Sequence, residues 1–97
     1  MATLTIAVTE EDIRYGRPSD PCGCPVARAV RRELLARYAD GVGVVMYGYT
    51  ISCWVGTRDG DSHHIREDMP EEVCNRIKTY DRTGKMEPFS FEIAVPD

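Results

Sequence analysis

Both ends of the chain carry a segment in which apolar and polar side chains alternate. The first reads TLTIAVT (residues 3–9) and the second reads FSFEIAV (residues 89–95). A period of two residues is typical of a β-strand that buries one face. We therefore expect a strand at each end of the domain, with these apolar side chains in one core: Leu4, Ile6, Val8, Phe89, Phe91, Ile93 and Val95.

Two longer stretches between these strands have the spacing of amphipathic helices. The first is predicted from Pro25 to Ala39, and its apolar stripe is Val26, Val30, Leu34 and Tyr38. The second begins near Pro70 and ends at Gly84, with the stripe Val73, Cys74, Ile77 and Tyr80. Ahead of both, TEED (residues 9–12) predicts a capping box that begins a short helix, Glu10 to Tyr15, ending at Gly16.

The middle of the chain predicts further strands. Residues 42–55 are rich in β-branched and aromatic side chains, and Gly48 divides them into two strands. Asp59 and Gly60 form a hairpin signal, so SHHIRE (residues 62–67) is an optional further strand. The order β-α-β-β-(β)-α-β predicts one α+β domain over residues 1–97. We expect an antiparallel sheet with both long helices on one face, as in a split-βαβ or ferredoxin-like sandwich.

Composition narrows the class of protein. The chain has 97 residues, 42% of them hydrophobic, which suits one small folded domain. Its net charge of −4 makes nucleic acid an unlikely partner. No apolar run approaches the roughly 20 residues that a membrane helix needs, and no secretion signal is evident. We therefore expect a cytoplasmic protein whose four cysteines are thiols or ligands rather than disulfides.

The motif CGCP brings Cys22 and Cys24 together directly before a helix. Because Pro25 suits the first helical position, Cys24 is expected to be the N-cap. A helix N-terminus lowers the pKa of a thiol, so Cys24 is the candidate reactive thiol and Cys22 its resolving partner. The simpler interpretation is that Cys24 only caps the helix.

A zinc site is the second interpretation of the cysteines. Six residues could supply ligands: Cys22, Cys24, Cys53, Cys74, His63 and His64. Strong zinc signals have two spaced cysteine pairs, and this chain has one tight pair. Cys53 and Cys74 are expected to face the core, and adjacent histidines in a strand point to opposite faces. We therefore expect no metal, no cofactor and no catalytic motif.

Two surfaces are candidates for binding a partner. Arg28, Arg31 and Arg32 lie on the side of the first long helix away from its apolar stripe, so they are expected to stand in water. Exposed cations so close together gain little for folding, which favours a role outside the domain. The other candidate is an exposed strand edge around Trp54. A homodimer through a sheet face or a strand edge is a further possibility.

Three stretches carry a resemblance to a family. TIAVTEEDIRYG, CGCPVARAV and MPEEVCNRIKTYDRTGKMEPFSFEI together cover over half of the chain. They resemble a family of short uncharacterised actinobacteriophage proteins. The resemblance implies a phage-encoded protein in the host cytoplasm and brings no catalytic residues. The expectation is thus a non-enzymatic accessory protein that binds a host protein. The alternative is a small zinc-binding or nucleic-acid-binding module that uses Cys22 and Cys24 or the three arginines.

Overall fold

A computed structural model describes residues 2–38, 41–56, 60 and 62–96. Their elements, in chain order, are β1 (Ala2–Val8), α1 (Glu10–Tyr15), α2 (Pro25–Arg37), β2 (Val42–Tyr47), β3 (Thr50–Gly56), β4 (Ser62–Asp68), α3 (Glu71–Thr83) and β5 (Phe89–Val95). The predicted α+β class and element order are confirmed, including the optional strand. The first long helix ends at Arg37, and its predicted end at Ala39 lies outside the described residues, as does Asp59 of the hairpin signal.

The strands form two antiparallel sheets, which corrects the expectation of one continuous ferredoxin-like sheet. One sheet pairs β1 with β5, and the other has the order β2-β3-β4. A side chain joins β4 to β5 at their closest point: the Glu67 carboxylate accepts a hydrogen bond from the Ala94 N–H at 3.2 Å. The Ala94 N–H therefore bonds to a side chain of β4 at this point rather than to its backbone.

The helix α2 links the two sheets on the core side. It contacts β1 in one sheet and β2 in the other. Its apolar face is fully buried at Val26, Val30 and Leu34, as the spacing of four predicts. The core cluster below it takes side chains from both sheets and from α3, namely Ile6, Phe91, Ile93, Val44, Ile51, Cys53, Val55, Ile65, Val73 and Ile77.

Tight packing fixes the loop between α1 and α2. A Cβ at Gly16 would lie 2.6 Å from the Asp12 carbonyl oxygen and 2.8 Å from Pro25 Cδ, so only glycine fits there. The Tyr80 hydroxyl of α3 donates to the Gly16 carbonyl at 3.0 Å. At the same end of α3, four positions after Tyr80, Gly84 has φ 73°, which is the left-handed conformation expected of a helix-ending glycine. The start of α2 is therefore held against both α1 and α3.

The core assignment predicts a large effect at Phe91, which is buried on β5. Replacing Phe91 by Ala should lower the free energy of unfolding by about 3–5 kcal/mol, because a buried aromatic ring is lost and a cavity remains. Ser90→Ala, on the exposed face of the same strand, is the matched control and should change it by less than about 0.5 kcal/mol. Urea unfolding measures both. An equal loss of unfolding free energy in the two variants would contradict the assignment of Phe91 to the buried face and Ser90 to the exposed face of β5.

Candidate functional site

A buried carboxylate lies where α1 begins. Asp12 is 2% exposed and occupies the third position of α1. Its carboxylate accepts hydrogen bonds from the Thr9 N–H at 3.0 Å and the Thr9 hydroxyl at 3.1 Å. The Asp12 N–H donates in turn to the Thr9 hydroxyl oxygen at 3.3 Å. The capping box predicted from TEED is thereby confirmed, and it leaves a negative charge inside the protein.

Arg32 of α2 neutralises that charge. Its Nη1 donates to both oxygens of Asp12, at 2.6 and 2.7 Å, and its Nη2 donates to the Ala7 carbonyl of β1. Arg28 also approaches, with Nε 4.0 Å from the same carboxylate. Arg28 is partly buried, so the expectation that it stands in water was wrong. Arg32 is exposed, as predicted, but the expectation that it gains little for folding was wrong, because it binds the buried carboxylate. The partner carboxylate lies 20 positions earlier in the chain, where no helical spacing could reveal it.

These contacts set the charge state of the pair. Burial raises the pKa of Asp12, but the hydrogen bonds from Arg32 and Thr9 outweigh it, so the pKa lies below its usual value. The same hydrogen bond raises the pKa of Arg32. Because the folded pKa of Asp12 is lowered, its stabilising effect is present above the unfolded pKa and is lost as the pH falls through the folded one.

The arginines line a groove between α1 and α2. It has a volume of about 390 Å³ and is lined by Glu11, Asp12, Cys22, Gly23, Arg28, Arg31, Arg32 and Leu35. We call it the arginine groove. Four of its residues, at positions 28, 31, 32 and 35, lie on one face of α2 because they are three or four positions apart. The structure thus brings together the three predicted arginines and Cys22 in one concave surface.

Among the described residues, Arg28 and Arg31 lack the close hydrogen bonds to a carboxylate that Arg32 makes. The guanidinium carbon of Arg28 lies 5.9 Å from the centre of the Tyr15 ring, and its Nε is buried with no hydrogen-bond partner among the described residues. Arg31 is exposed, and no described residue lies within ion-pair distance of it. Leu35, one turn further along α2, is 45% exposed. The groove therefore presents two guanidinium groups beside an exposed apolar side chain.

Cys24 is the N-cap of α2, as predicted, but it is not an activated thiol. Its Sγ accepts a hydrogen bond from the Ala27 N–H at 3.4 Å. The side chain is only 5% exposed, however, and burial raises the pKa of Cys24 more than the hydrogen bonds from Ala27 and Val26 lower it. A thiolate loses its hydration in the core, so the lowered pKa on which the predicted reactivity of Cys24 depends is not found. Cys22, by contrast, is exposed on the arginine groove.

The remaining candidate metal ligands are dispersed. Cys53 is fully buried, as predicted, and burial raises its pKa to about 12. Cys74 is partly buried and donates its thiol hydrogen to the Met69 carbonyl. On the outer face of the β2-β3-β4 sheet, His64 Nε2 of β4 lies 2.6 Å from the Ser52 hydroxyl oxygen of β3. His63, one position earlier in β4, points to the other face of the sheet. Within the described residues, no three Cys, His, Asp or Glu side chains are grouped so that they could hold a metal ion.

Trp54 lies on a sheet face rather than on a strand edge. Its strand, β3, is the middle strand of its sheet. Trp54 is 42% exposed and stacks on His64, with ring centres 4.9 Å apart. Tyr47, on the same face of β2, is 63% exposed. We call this surface, with Tyr47, Trp54 and His64, the outer aromatic face. The predicted edge around Trp54 is corrected accordingly.

Comparisons with protein-family models, curated proteins and solved structures found no match to this chain. Its resemblance to short phage proteins stays a prediction, and the case for a site rests on geometry. Across the described ranges, no helix combines the length and the apolar composition needed to cross a bilayer.

The cysteine environments predict an order of reactivity. In the native protein, iodoacetamide should modify Cys22 first and Cys24 and Cys53 last, because the latter two are buried with raised pKa values. Mass spectrometry of protein quenched at increasing times measures the order. The Cys22→Ser variant is the control and should lose the fast phase. Modification of Cys24 before Cys22 would contradict the burial of the N-cap thiol.

Proposed function

We propose that this chain is a non-enzymatic accessory protein that binds a partner protein through the arginine groove. The observation that carries the proposal is the presence of Arg28 and Arg31 in that groove. Among the described residues, Arg31 has no carboxylate within ion-pair distance, and Arg28 reaches only Asp12, at 4.0 Å, which Arg32 already binds. Positive charge that the fold leaves unmatched is suited to a partner with an acidic segment. Complementary charge of this kind speeds association and selects among partners.

The cost of keeping these cations supports the proposal. Arg28 lies three positions before Arg31 and four before Arg32, and like charges at that spacing destabilise a helix. Asp12 offsets the cost for Arg32 at 2.6 Å and less so for Arg28 at 4.0 Å, and no described carboxylate lies within that distance of Arg31. A contact with an acidic partner would offset it for Arg28 and Arg31, and Leu35 would give that contact an apolar part. Hydrophobic contacts of this kind add to affinity because they remove apolar surface from water.

The sequence resemblance gives the proposal a setting. If the chain is phage-encoded, as the resemblance implies, it acts in the cytoplasm of the host and its partner is a host protein. Host takeover is then the expected role. A zinc-binding role is less well supported, because Cys24 and Cys53 are buried core thiols and only Cys22 is fully exposed.

The outer aromatic face is the second candidate for a partner contact. Trp54 and Tyr47 expose large aromatic surfaces there, and such residues are enriched at protein interfaces. The face could receive a host protein or a second copy of the chain. This face ranks second because it carries both Arg66 and Asp68. Since charges of both signs are present, the face favours neither an acidic nor a basic partner.

Reversing two charges tests the groove. The variant Arg28→Glu/Arg31→Glu should lose capture of the host partner in a pull-down, because its groove would repel an acidic segment. Arg32 is left unchanged since it binds Asp12. Arg28 lies 4.0 Å from the same carboxylate, so the double variant is expected to melt at a lower temperature. The single variant Arg31→Glu should keep the melting temperature of the unmodified protein and should still weaken capture. Capture by the unmodified protein should also weaken as salt rises from about 0.05 to about 0.5 M, because salt screens exposed charges.

The matched control is Lys78→Glu/Arg82→Glu, which reverses two exposed cations on α3 and changes the net charge equally. It should capture the partner as the unmodified protein does. Normal capture by Arg28→Glu/Arg31→Glu would overturn the groove as the contact surface. The variant Tyr47→Ala/Trp54→Ala would then test the outer aromatic face in the same assay.

A further inference from the structure

The charges in the arginine groove do not balance. Asp12 accepts hydrogen bonds from Arg32 through both of its oxygens, so this pair is neutral. Arg28 reaches the same carboxylate only at 4.0 Å, and no described carboxylate lies within that distance of Arg31. Arg28 and Arg31, one helical turn apart, thus remain after the buried pair is accounted for, although Glu11 on the lining of the groove offsets part of their charge.

The ligand that matches the hydrogen-bond donors of these two guanidinium groups is a phosphate group. A carboxylate brings one negative charge and two oxygens, whereas a phosphorylated side chain carries about −1.5 to −2 at neutral pH and three acceptor oxygens. Guanidinium groups pair with phosphate through two parallel hydrogen bonds. Resting on the proposed function, we propose that the arginine groove binds the phosphate of a phosphorylated side chain on the partner protein, with Arg28 and Arg31 as its ligands.

The surroundings of Arg28 favour an arranged site over a flexible surface cation. Tyr15 lies under its guanidinium group and Asp12 lies beside its Nε. That Nε is buried and has no hydrogen-bond partner among the described residues, so a ligand would contact the exposed remainder of the Arg28 side chain, which is 36% exposed. A side chain already held in place loses less conformational entropy when it binds a ligand.

The same surroundings favour one phosphate over a nucleic-acid strand. Glu11 lines the groove, Glu10 is exposed next to it, and Glu33 lies 3.6 Å from Arg32 Nε. A strand brings a phosphate at every nucleotide, so its neighbouring phosphates would meet these carboxylates. A single phosphorylated side chain avoids them. The volume of about 390 Å³ is of the size that holds one small ligand group.

Leu35 would favour an apolar residue next to the phosphorylated residue of the partner. It lies four positions after Arg31 on the same face of α2 and is largely exposed. A partner residue next to the phosphorylated one would therefore contact Leu35 if it were apolar. This suggests a short peptide with phosphoserine followed by leucine as the probe.

The test is an NMR titration of the full ¹⁵N-labelled chain. Four ligands are added at equal ionic strength: a capped Gly-phosphoserine-Leu-Gly peptide, the same peptide with glutamate in place of phosphoserine, inorganic phosphate and a thymidine oligonucleotide. The phosphopeptide should shift the Nε–H signals of Arg28 and Arg31 and bind about tenfold or more tightly than the glutamate peptide. Arg31→Ala should weaken its binding about tenfold, whereas Lys78→Ala should leave it unchanged.

Each other outcome overturns the inference in a distinguishable way. Equal binding of the two peptides, lost in Arg31→Ala, would exclude phosphate recognition and leave the acidic-partner proposal standing. Inorganic phosphate that binds more tightly than the phosphopeptide would point to the free ion, and a thymidine oligonucleotide that does so would point to nucleic acid. If no anion shifts these signals and Arg28→Glu/Arg31→Glu captures the partner normally, the proposed function fails as well.

Discussion

A carboxylate that is removed from water must be neutralised by the fold around it, and Asp12 imposes that requirement on this protein. Thr9 supplies two of its hydrogen bonds and Arg32 two more. Arg32 also binds the Ala7 carbonyl, so one cluster joins the end of β1, the start of α1 and the middle of α2. A six-residue helix such as α1 is not stable by itself, so this cluster is what holds it against the domain.

The same cluster shapes the surface. Asp12 of α1 binds Arg32 of α2, and the arginine groove lies between these two helices. The three arginines that line it divide into one that stabilises the fold and two that remain for a ligand. The loop that carries Cys22 and Gly23 forms part of its lining. Gly16 and Tyr80 keep that loop close to α1 and α3, so the groove is built on elements that the core already positions.

Local patterns predicted the parts of the structure that depend on local interactions. The alternation at both chain ends, the TEED capping box and the N-cap position of Cys24 all follow from neighbouring residues, and each was found where the sequence places it. The parts that failed depend on distant residues. Glu67 and Ala94 meet across 27 positions where the two sheets adjoin, and Asp12 reaches Arg32 across 20.

The pKa of Cys24 illustrates the same limit. Its place at a helix N-terminus was correctly predicted, and that place alone lowers a thiol pKa. The outcome depends on how deeply the tertiary structure buries the sulfur, which no local spacing reveals, and burial is the larger effect here. The arginine groove was only partly predictable. The spacing of Arg28, Arg31 and Arg32 places them on one face of α2, but it does not reveal that Arg32 binds Asp12.

A double-mutant cycle can measure how the arginines divide their roles. Urea unfolding of Asp12→Ala, Arg32→Ala and the double variant should give a coupling energy of about 1.5–3 kcal/mol, as for hydrogen bonds to a charged group. The parallel cycle of Asp12 with Arg31 should give less than about 0.5 kcal/mol, because the structure shows no contact between them. Equal coupling in the two cycles, or stronger coupling to Arg31, would contradict the account of Arg32 as the structural arginine and Arg31 as one left for a ligand.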